Sequence, residues 1–419
     1  MQREGGIRET GRRLEGMPPV EVAAALGHLP GLVFFDTAGH LPASYGAPLS
    51  VIAARPQAIL SGSIHAAEDR AKLDAALAKG AASPAPDRGF PLGGLCGWVD
   101  YEGNFVFGDF SEMLVHDHRS GAWHEQGNLS AEMRTPSTER PQIGPFAPLM
   151  PRDTFLDGVR KIHDWIVAGD IYQVNLTQAF QAEVAEGGLF GLYENLRECS
   201  PAPLAAYLNL AGAEILSSSP ETFLRMSARG IETRPIKGTR PRHADPDEDR
   251  RSAYELQTSP KEIAELVMIT DLLRNDLGQV CEFGSVHVAE MLQLETLGQV
   301  HHMVSTVTGR LLEEFNHVAA LAACFPGGSI TGAPKKRAME IIRELETTPR
   351  GIYCGAIGYL GYHGESQFSI AIRTLVREGP SLSYHVGAGI VADSDPVKEY
   401  EETLHKAAGI RMAVERFGR

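Results

Sequence analysis

The hydrophobic pattern of the first third of the chain predicts strands. Short apolar runs at 31–36, 49–54 and 92–101 are bounded by Gly and Pro, which is typical of strands. Residues 125–152 hold five prolines among Gly, Ser and Thr, and this composition indicates a connector. We expect residues 1–150 to form a strand-rich N-terminal part of the same body as residues 151–419.

Helical and alternating patterns follow each other after the connector. The predicted elements are a helix capped by Asp153, a strand at 171–180, a hairpin at 215–236, helices at 260–278 and 334–347, a strand at 366–376 that turns at 378–380 and returns through 381–392, and a helix over the last 25 residues. Strands joined largely by hairpins, with helices inserted, favour an α+β fold over a doubly wound sheet.

Charge and cysteine content exclude several classes of protein. The 419 residues carry a formal net charge of −14, which argues against a general nucleic-acid binder. The five cysteines lie far apart with no CxxC pair, which disfavours a disulfide framework and a zinc site. No secretory signal is visible, and no run of about 18 apolar residues could span a membrane. We therefore expect a cytoplasmic location.

An acid and a lysine occupy related positions in the hairpin region. Ala228, Arg229 and Gly230 fit a three-residue turn with Gly in the left-handed position. This register places Glu221 directly opposite Lys237, with Cβ atoms roughly 4.5–5.5 Å apart. The pair is either a cross-strand surface ion pair or a proton donor beside an amine nucleophile. The pattern alone leaves both interpretations open.

Two pairs of glutamates recur with a spacing of three residues. Glu262 and Glu265 share one helical face, and so do Glu399 and Glu402. Like charges so placed repel, and a hard cation such as Mg²⁺ would offset the repulsion. A solvated acidic face is the commoner meaning of this spacing. Lys406 continues the second pair's stripe, so a cation for substrate anions could share that face.

Glycine-rich loops at 325–335 and 387–389 could bring backbone N–H groups close to a carboxylate or phosphate. Ordinary turns explain such loops equally well, and neither matches a phosphate-binding loop or a dinucleotide fingerprint. Arg373 falls on the strictly alternating strand, on the face opposite its apolar residues. Its guanidinium would suit a carboxylate there.

Taken together, these segments resemble the chorismate-utilising enzymes. The matching segments, in family order, are Ser217–Leu224, Arg234–Arg242, Lys261–Leu277, His302–Gly309, Phe325–Lys335, Arg350–Leu360, Ile370–Thr374 and Gly387–Lys406. The resemblance implies two antiparallel sheets packed face to face with surrounding helices. It makes residues 151–419 the chorismate-binding catalytic region.

The resemblance also implies roles for single residues. Mg²⁺ would bridge the ring carboxylate of chorismate, with Glu265 and Glu402 nearest and Glu262 and Glu399 behind water. The implied substrate-binding residues are Gln173, Thr239, His302, Ser329, Tyr353, Arg373, Gly387, Ala388, Gly389 and Lys406. The implied catalytic residues are Lys237, which attacks chorismate at C2, and Glu221, which protonates the departing C4 hydroxyl.

Two positions separate the activities within the family. Lys237 in the PIKGT segment is similar to the aminodeoxychorismate synthases, whereas anthranilate synthases carry Ala there. Gln173 stands where water-using members carry a base lysine, and an amide cannot take a proton from water. The resemblance therefore favours ammonia as nucleophile and 4-amino-4-deoxychorismate as product.

The implied partners are a separate glutaminase subunit that delivers ammonia and a separate pyridoxal-phosphate lyase that converts the product to 4-aminobenzoate for folate. The sequence lacks a Gly-x-Cys-x-Gly glutaminase segment. Two alternatives stay open: anthranilate synthase component I, and a catalytically silent interaction subunit with the same fold.

Segments that hold tryptophan in some family members are poorly matched. The corresponding stretches here are 34–37, 43–46 and 200–203. We do not expect tight tryptophan binding.

Overall fold

Antiparallel strands form the framework of the protein. The computed structural model describes residues 8–9, 14–38, 48–82 and 90–419. Within these ranges the strands are β1 (Arg8–Glu9), β2 (Val33–Asp36), β3 (Leu49–Ala53), β4 (Ala58–Ser63), β5 (Gly94–Val99), β6 (Asn104–Phe110), β7 (Met113–Asp117), β8 (Ala122–Gln126), β9 (Ala147–Pro148), β10 (Gln173–Glu183), β11 (Leu204–Leu210), β12 (Ala213–Ser219), β13 (Thr222–Ser227), β14 (Gly230–Arg234), β15 (Ile236–Pro241), β16 (His287–Thr296), β17 (Val300–Arg310), β18 (Gly332–Ala333), β19 (Ala356–Gly361), β20 (Glu365–Ile370), β21 (Thr374–Glu378) and β22 (Ser381–Ile390).

Helices are inserted between the strands. Over the same described ranges they are α1 (Pro19–Ala25), α2 (Ala67–Gly80), α3 (Arg152–Val167), α4 (Phe190–Cys199), α5 (Pro246–Thr258), α6 (Pro260–Gly278), α7 (His317–Cys324), α8 (Lys335–Leu345), α9 (Pro396–Lys406) and α10 (Ala408–Phe417). None of them is both long and apolar enough to cross a membrane.

The strands assemble into two sheets. The larger has the order β1-β8-β7-β3-β2-β11-β12-β21-β22-β10-β18, with β9 also paired to β10. The smaller has the order β15-β17-β14-β13-β20-β19-β5-β6-β4, with β16 also paired to β17. Both sheets contain strands from before and after the proline-rich connector, so each half of the sequence completes the other's sheets.

The sheets pack face to face and enclose the core. Phe35 of the larger sheet and Tyr359 of the smaller lie with ring centroids 5.7 Å apart. A second shared cluster joins Leu176 on β10 to Leu95 and Phe368 on the smaller sheet. The predicted α+β class with two antiparallel sheets is therefore confirmed.

The alternating segment at 366–376 is not one strand, as the sequence predicted, but two. The first, β20, belongs to the smaller sheet, and the second, β21, belongs to the larger. Residues 371–373 carry the chain from one sheet to the other, and Arg373 adopts a left-handed φ of 51°. Alternation was preserved across the break because both strands bury one face.

Two helix predictions are also corrected. The last 25 residues form two helices, α9 and α10, that meet at Ala407. Asp153 does not cap α3, because Pro151 occupies the N-cap position and no side chain caps this helix. The helices predicted at 260–278 and 334–347 are present as α6 and α8.

Candidate active site

One wall of the site is the pairing of β10 with β22. Asn175 pairs with Gly389 and Thr177 with Gly387. A Cβ on Gly389 would lie 2.3 Å from Nε2 of Gln173, so only glycine fits at this position. The same point lies 3.8 Å from Nζ of Lys237. The pairing therefore brings Gln173, Gly389 and Lys237 together.

The predicted route that brings Glu221 to Lys237 is wrong, although the two groups do interact. The turn holds two residues, Ala228 and Arg229, and Ser227 pairs with Gly230. Ala228, not Gly230, has the positive φ, at 49°. Lys237 lies on β15 and pairs with Met303 of β17. The lysine approaches the acid from another strand pair, and its charge acts on the Glu221 carboxyl.

Glu221 has the environment of a proton donor. Its side chain is buried, and burial raises its pKa to about 7. A hydrogen bond from Ser329 and the charge of Lys237 act in the opposite direction and limit the rise. A carboxyl with a pKa near 7 holds its proton long enough to give it to a leaving group.

The helices that carry the glutamate pairs begin in the same way. Ser259 accepts a hydrogen bond from the N–H of Glu262 at the start of α6. Asp395 accepts from two N–H groups at the start of α9, both at 3.0 Å. Each cap is followed by Pro at the first helical position. These signals fix where each helix starts and hence which face presents the carboxylates.

The four carboxylates face a common region that already contains lysines. Nζ of Lys261 lies 3.8 Å from a Glu399 oxygen and 4.0 Å from a Glu265 oxygen. Lys406 pairs with Glu402 at 2.8 Å. Burial raises the pKa of Glu265 and of Glu399.

Around Glu402 the balance of effects differs. Burial opposes ionisation there, but the Lys406 ammonium outweighs it, and the pKa of this carboxyl is lowered. Lys406 also donates to the carbonyl oxygen of Gly387 at 3.0 Å, which ties α9 to the β22 wall. The predicted stripe of Glu402 and Lys406 is thus a direct contact.

The donor chemistry of the carboxylates fits a hard cation. All four offer oxygen ligands, and the ammonium of Lys261 already occupies a position between carboxylates of α6 and α9. Over the described ranges, no three His, Cys, Asp or Glu side chains are arranged as a closed metal site. Substrate oxygens and water would have to complete the coordination of a Mg²⁺ ion, which is its usual mode of binding.

The opposite side of the site presents groups suited to an organic anion. Burial removes Arg373 from water and lowers the pKa of its guanidinium. The Tyr353 ring stacks on His385 with centroids 5.2 Å apart. His302 is buried, and this burial, aided by the charge of Arg373, lowers its pKa to about 3, so the imidazole is neutral.

Two buried polar atoms indicate that a ligand is expected here. Oε1 of Gln173 and Nε2 of His302 have no hydrogen-bond partner among the described residues. The other ring nitrogen of His302 lies 3.0 Å from Oγ1 of Thr239. Buried polar groups without partners are rare in folded proteins. A substrate bound between β10 and β15 would satisfy both.

Some predicted and some unforeseen residues complete the picture. Thr239 is exposed at the edge of the site, and the Ala388 side chain packs into the core, so only its backbone could reach a ligand. Sequence reasoning missed Lys261, although its i,i+4 spacing to Glu265 was a signal. It also missed Ser394, whose hydroxyl donates to Glu399 at 2.6 Å.

Part of the tryptophan question lies outside the described residues, since 43–46 are not among them. Of the other stretches, Asp36 accepts hydrogen bonds from Arg197 at 2.8 Å and from Tyr193 at 3.0 Å. The carboxylate is therefore occupied within the protein. The expectation of no tight tryptophan binding stays a prediction.

Comparisons with known proteins agree with this geometry. A family model described as chorismate binding enzyme matches residues 110–412. Aminodeoxychorismate synthase component 1 of Salmonella typhimurium is 47% identical over 266 residues, which cover 64% of this chain and 58% of that protein. The match thus spans less than two thirds of that relative.

Relatives with a second activity are similarly close. Anthranilate synthase component 1 of Methanothermobacter thermautotrophicus is 39% identical over 354 residues, covering 79% of this chain and 76% of that protein. The crystal structure of anthranilate synthase component I from Streptococcus pneumoniae superimposes with a TM-score of 0.76 at 29% identity, over 88% of this chain and 94% of that one. The chain belongs to the chorismate binding enzyme family.

Proposed function

We propose that this protein is an aminodeoxychorismate synthase component I, which converts chorismate and ammonia to 4-amino-4-deoxychorismate. The observation that carries the proposal is the lysine at 237, whose amine lies at the Gly389 wall and acts on the buried Glu221 carboxyl. An amine nucleophile beside a carboxyl with a pKa of about 7 supports covalent catalysis with acid assistance.

The proposed reaction uses the two residues in turn. The Lys237 amine bonds to C2 of chorismate, the ring double bond shifts, and the C4–O bond breaks. Glu221 gives its proton to the departing hydroxyl, which leaves as water. Ammonia then bonds to C4, the double bond shifts back, and the C2–N bond to lysine breaks. The proton that the new amine sheds returns to Glu221, so one water replaces one ammonia overall.

The remaining residues bind and orient the substrate in this proposal. Arg373, Tyr353 and Lys406 would hold carboxylates, and Gln173 and His302 would face the ring. Glu265 and Glu402 would bind Mg²⁺ directly and Glu262 and Glu399 through water. Mg²⁺, when bound, would neutralise and orient the ring carboxylate of the substrate.

The proposal includes partners that the chemistry requires. Ammonia is scarce as a free base at neutral pH, so a separate glutaminase subunit would supply it. A separate pyridoxal-phosphate lyase would release 4-aminobenzoate from the product for folate synthesis. We propose that the reaction takes place in the cytoplasm, away from nucleic acids and membranes.

Anthranilate synthase component I is the second candidate. It is favoured by the Methanothermobacter relative, whose alignment covers more of this chain than that of the Salmonella protein. The lysine at 237 weighs against it. A silent interaction subunit would have no use for the assembled lysines and carboxylates.

Product identity decides between the candidates. The purified chain is mixed with chorismate, Mg²⁺ and ammonium salt at mildly alkaline pH, and the products are identified by mass spectrometry. An amino-substituted chorismate that keeps its enolpyruvyl group is expected. Anthranilate with pyruvate would refute the proposal in favour of the second candidate. If chorismate stays unreacted even with the glutaminase subunit present, the silent subunit is the better account.

A further inference from the structure

A buried arginine behind the site takes no part in the proposed reaction. All three terminal nitrogens of Arg350 are used. Nε and Nη2 donate to the two carboxylate oxygens of Glu346 at 2.9 and 2.7 Å, Nη1 donates to the carbonyl oxygen of Ile330 at 2.9 Å, and Nη2 also reaches that of Asn175 at 2.7 Å. Tyr101 covers the guanidinium with its ring centroid 4.5 Å away.

This guanidinium joins three segments that each carry a predicted substrate residue. Asn175 lies on β10, two residues from Gln173, and Ile330 directly follows Ser329. The arginine's own carbonyl oxygen accepts from the N–H of Tyr353 at 3.1 Å. Since β10, the 325–334 loop and the Tyr353 turn are far apart in sequence, their relative placement depends on such shared contacts.

The same loop is anchored at its other end by a second cation. Lys335 donates to the carbonyl oxygen of Pro326 at 2.9 Å and pairs with Asp276 at 2.6 Å. Ser329 lies between the two anchors and donates to Glu221. The position of its hydroxyl is therefore set by the contacts at both ends of the loop.

Arginine suits this position better than lysine would. Its planar fork can serve two carbonyl oxygens and a carboxylate at once, whereas an ammonium acts as a point charge. Moving such a cation out of water is costly, and a buried ion pair adds little net stability. The arrangement is better explained by the precision that it gives to the loop.

We propose that Arg350 is a positioning residue that holds the 325–334 loop so that Ser329 meets Glu221. The inference rests on the proposed function in one respect, namely that Glu221 donates a proton. The groups that face Glu221 are Ser329 from the loop, Lys237 from β15 and Cys354 from the turn before β19. Of these, only Ser329 lies on the segment that Arg350 anchors.

The test compares Arg350→Lys, Glu346→Gln and Ser329→Ala by the pH dependence of chorismate consumption at constant free ammonia. Loss of the Ser329 hydrogen bond moves the descending limb to higher pH, because that bond favours the ionised form. We expect the first two variants to move the limb in the same direction and to lower kcat/KM by about 10- to 100-fold. In the Ser329→Ala background, neither should move the limb further.

Arg377→Lys is the matched control. Arg377 also serves a carboxylate and two loop carbonyls, those of Glu214, Gly187 and Ala185, but it lies on β21 away from the 325–334 loop. It should leave the limb in place. Glu346→Gln keeps the shape of the contact and decides the matter if Arg350→Lys does not fold.

Two results would overturn the inference: an unmoved limb in the folded variants, or a full shift that persists without Ser329. Consumption of chorismate is measured whichever product forms. A wild-type chain that makes anthranilate would refute the proposed function alone, since anthranilate also lacks the C4 hydroxyl and its formation needs the same acid.

Discussion

Lys237 has carboxylates on several sides, because its charge acts on Glu221, Glu265 and Glu402. Residue identity carried this part of the prediction, since a lysine and an acid of these types were recognisable in the sequence. The contact between them was predicted through a wrong hairpin register. The register depends on a bulge between Thr222 and Arg225 that no local pattern signals.

Replacement of Lys237 by Ala should lower turnover with ammonia by at least about 100-fold, the lower end of what a positioned catalytic group contributes. The physical reason is loss of the amine that bonds to C2. Chorismate consumption is followed at saturating ammonium and Mg²⁺. The control is Lys79→Ala at the exposed end of α2, which should behave as wild type. Unchanged turnover in Lys237→Ala would exclude the nucleophile role.

Glu221 should impose a pH limit on the reaction. Only its protonated form can donate, and its pKa is raised to about 7, so kcat/KM should fall as pH rises through about 7. Free ammonia must be held constant, because its concentration rises over the same range. Glu221→Gln should be slow at every pH and lack this limb, while the exposed Glu255→Gln should keep it. A limb near pH 7 that survives in Glu221→Gln would belong to another group.

At the scale of elements, helices were predicted better than strands. The caps of α6 and α9 are local signals, so the starts of these helices could be found from sequence. The break at 371–373 could not, since the chain changes sheets there while its alternation continues. Arg373 owes its left-handed conformation to that crossing and not to its own propensity.

The cap of α9 gives a test at this scale. Asp395→Ala removes two hydrogen bonds and should cost about 1 kcal/mol of unfolding free energy, measured in urea. Because α9 carries Glu399 and Glu402, the Mg²⁺ concentration for half-maximal activity should also rise. Asp245→Ala removes an equivalent pair of hydrogen bonds from α5 and should cost similar stability without the Mg²⁺ effect. Equal Mg²⁺ titrations for both variants would argue against a metal held by α9.

The whole molecule depends on pairings that join distant parts of the sequence. Strands β2 and β3 pair into the sheet of β11 and β12, and β5 pairs with β19. Periodicity identifies a strand but not its partner, so the two-sheet arrangement came from resemblance and not from pattern. The same limit applies to the Arg350 contacts, which join residues up to 175 positions apart.

The chain should use ammonia but not glutamine when it is alone. Amide hydrolysis by cysteine needs a thiolate, and burial raises the pKa of Cys281 to about 11 and of Cys354 to about 12. Cys96 and Cys324 are also buried with raised pKa values, and Cys199 packs against the core. None of these has the exposed, electropositive surroundings of a catalytic thiol. With chorismate and Mg²⁺ present, ammonium should therefore support turnover while glutamine does not, and adding a glutaminase subunit should restore activity with glutamine. Turnover with glutamine by the purified chain, free of any second protein by mass spectrometry, would show that the fold contains an amide-hydrolysing site of its own.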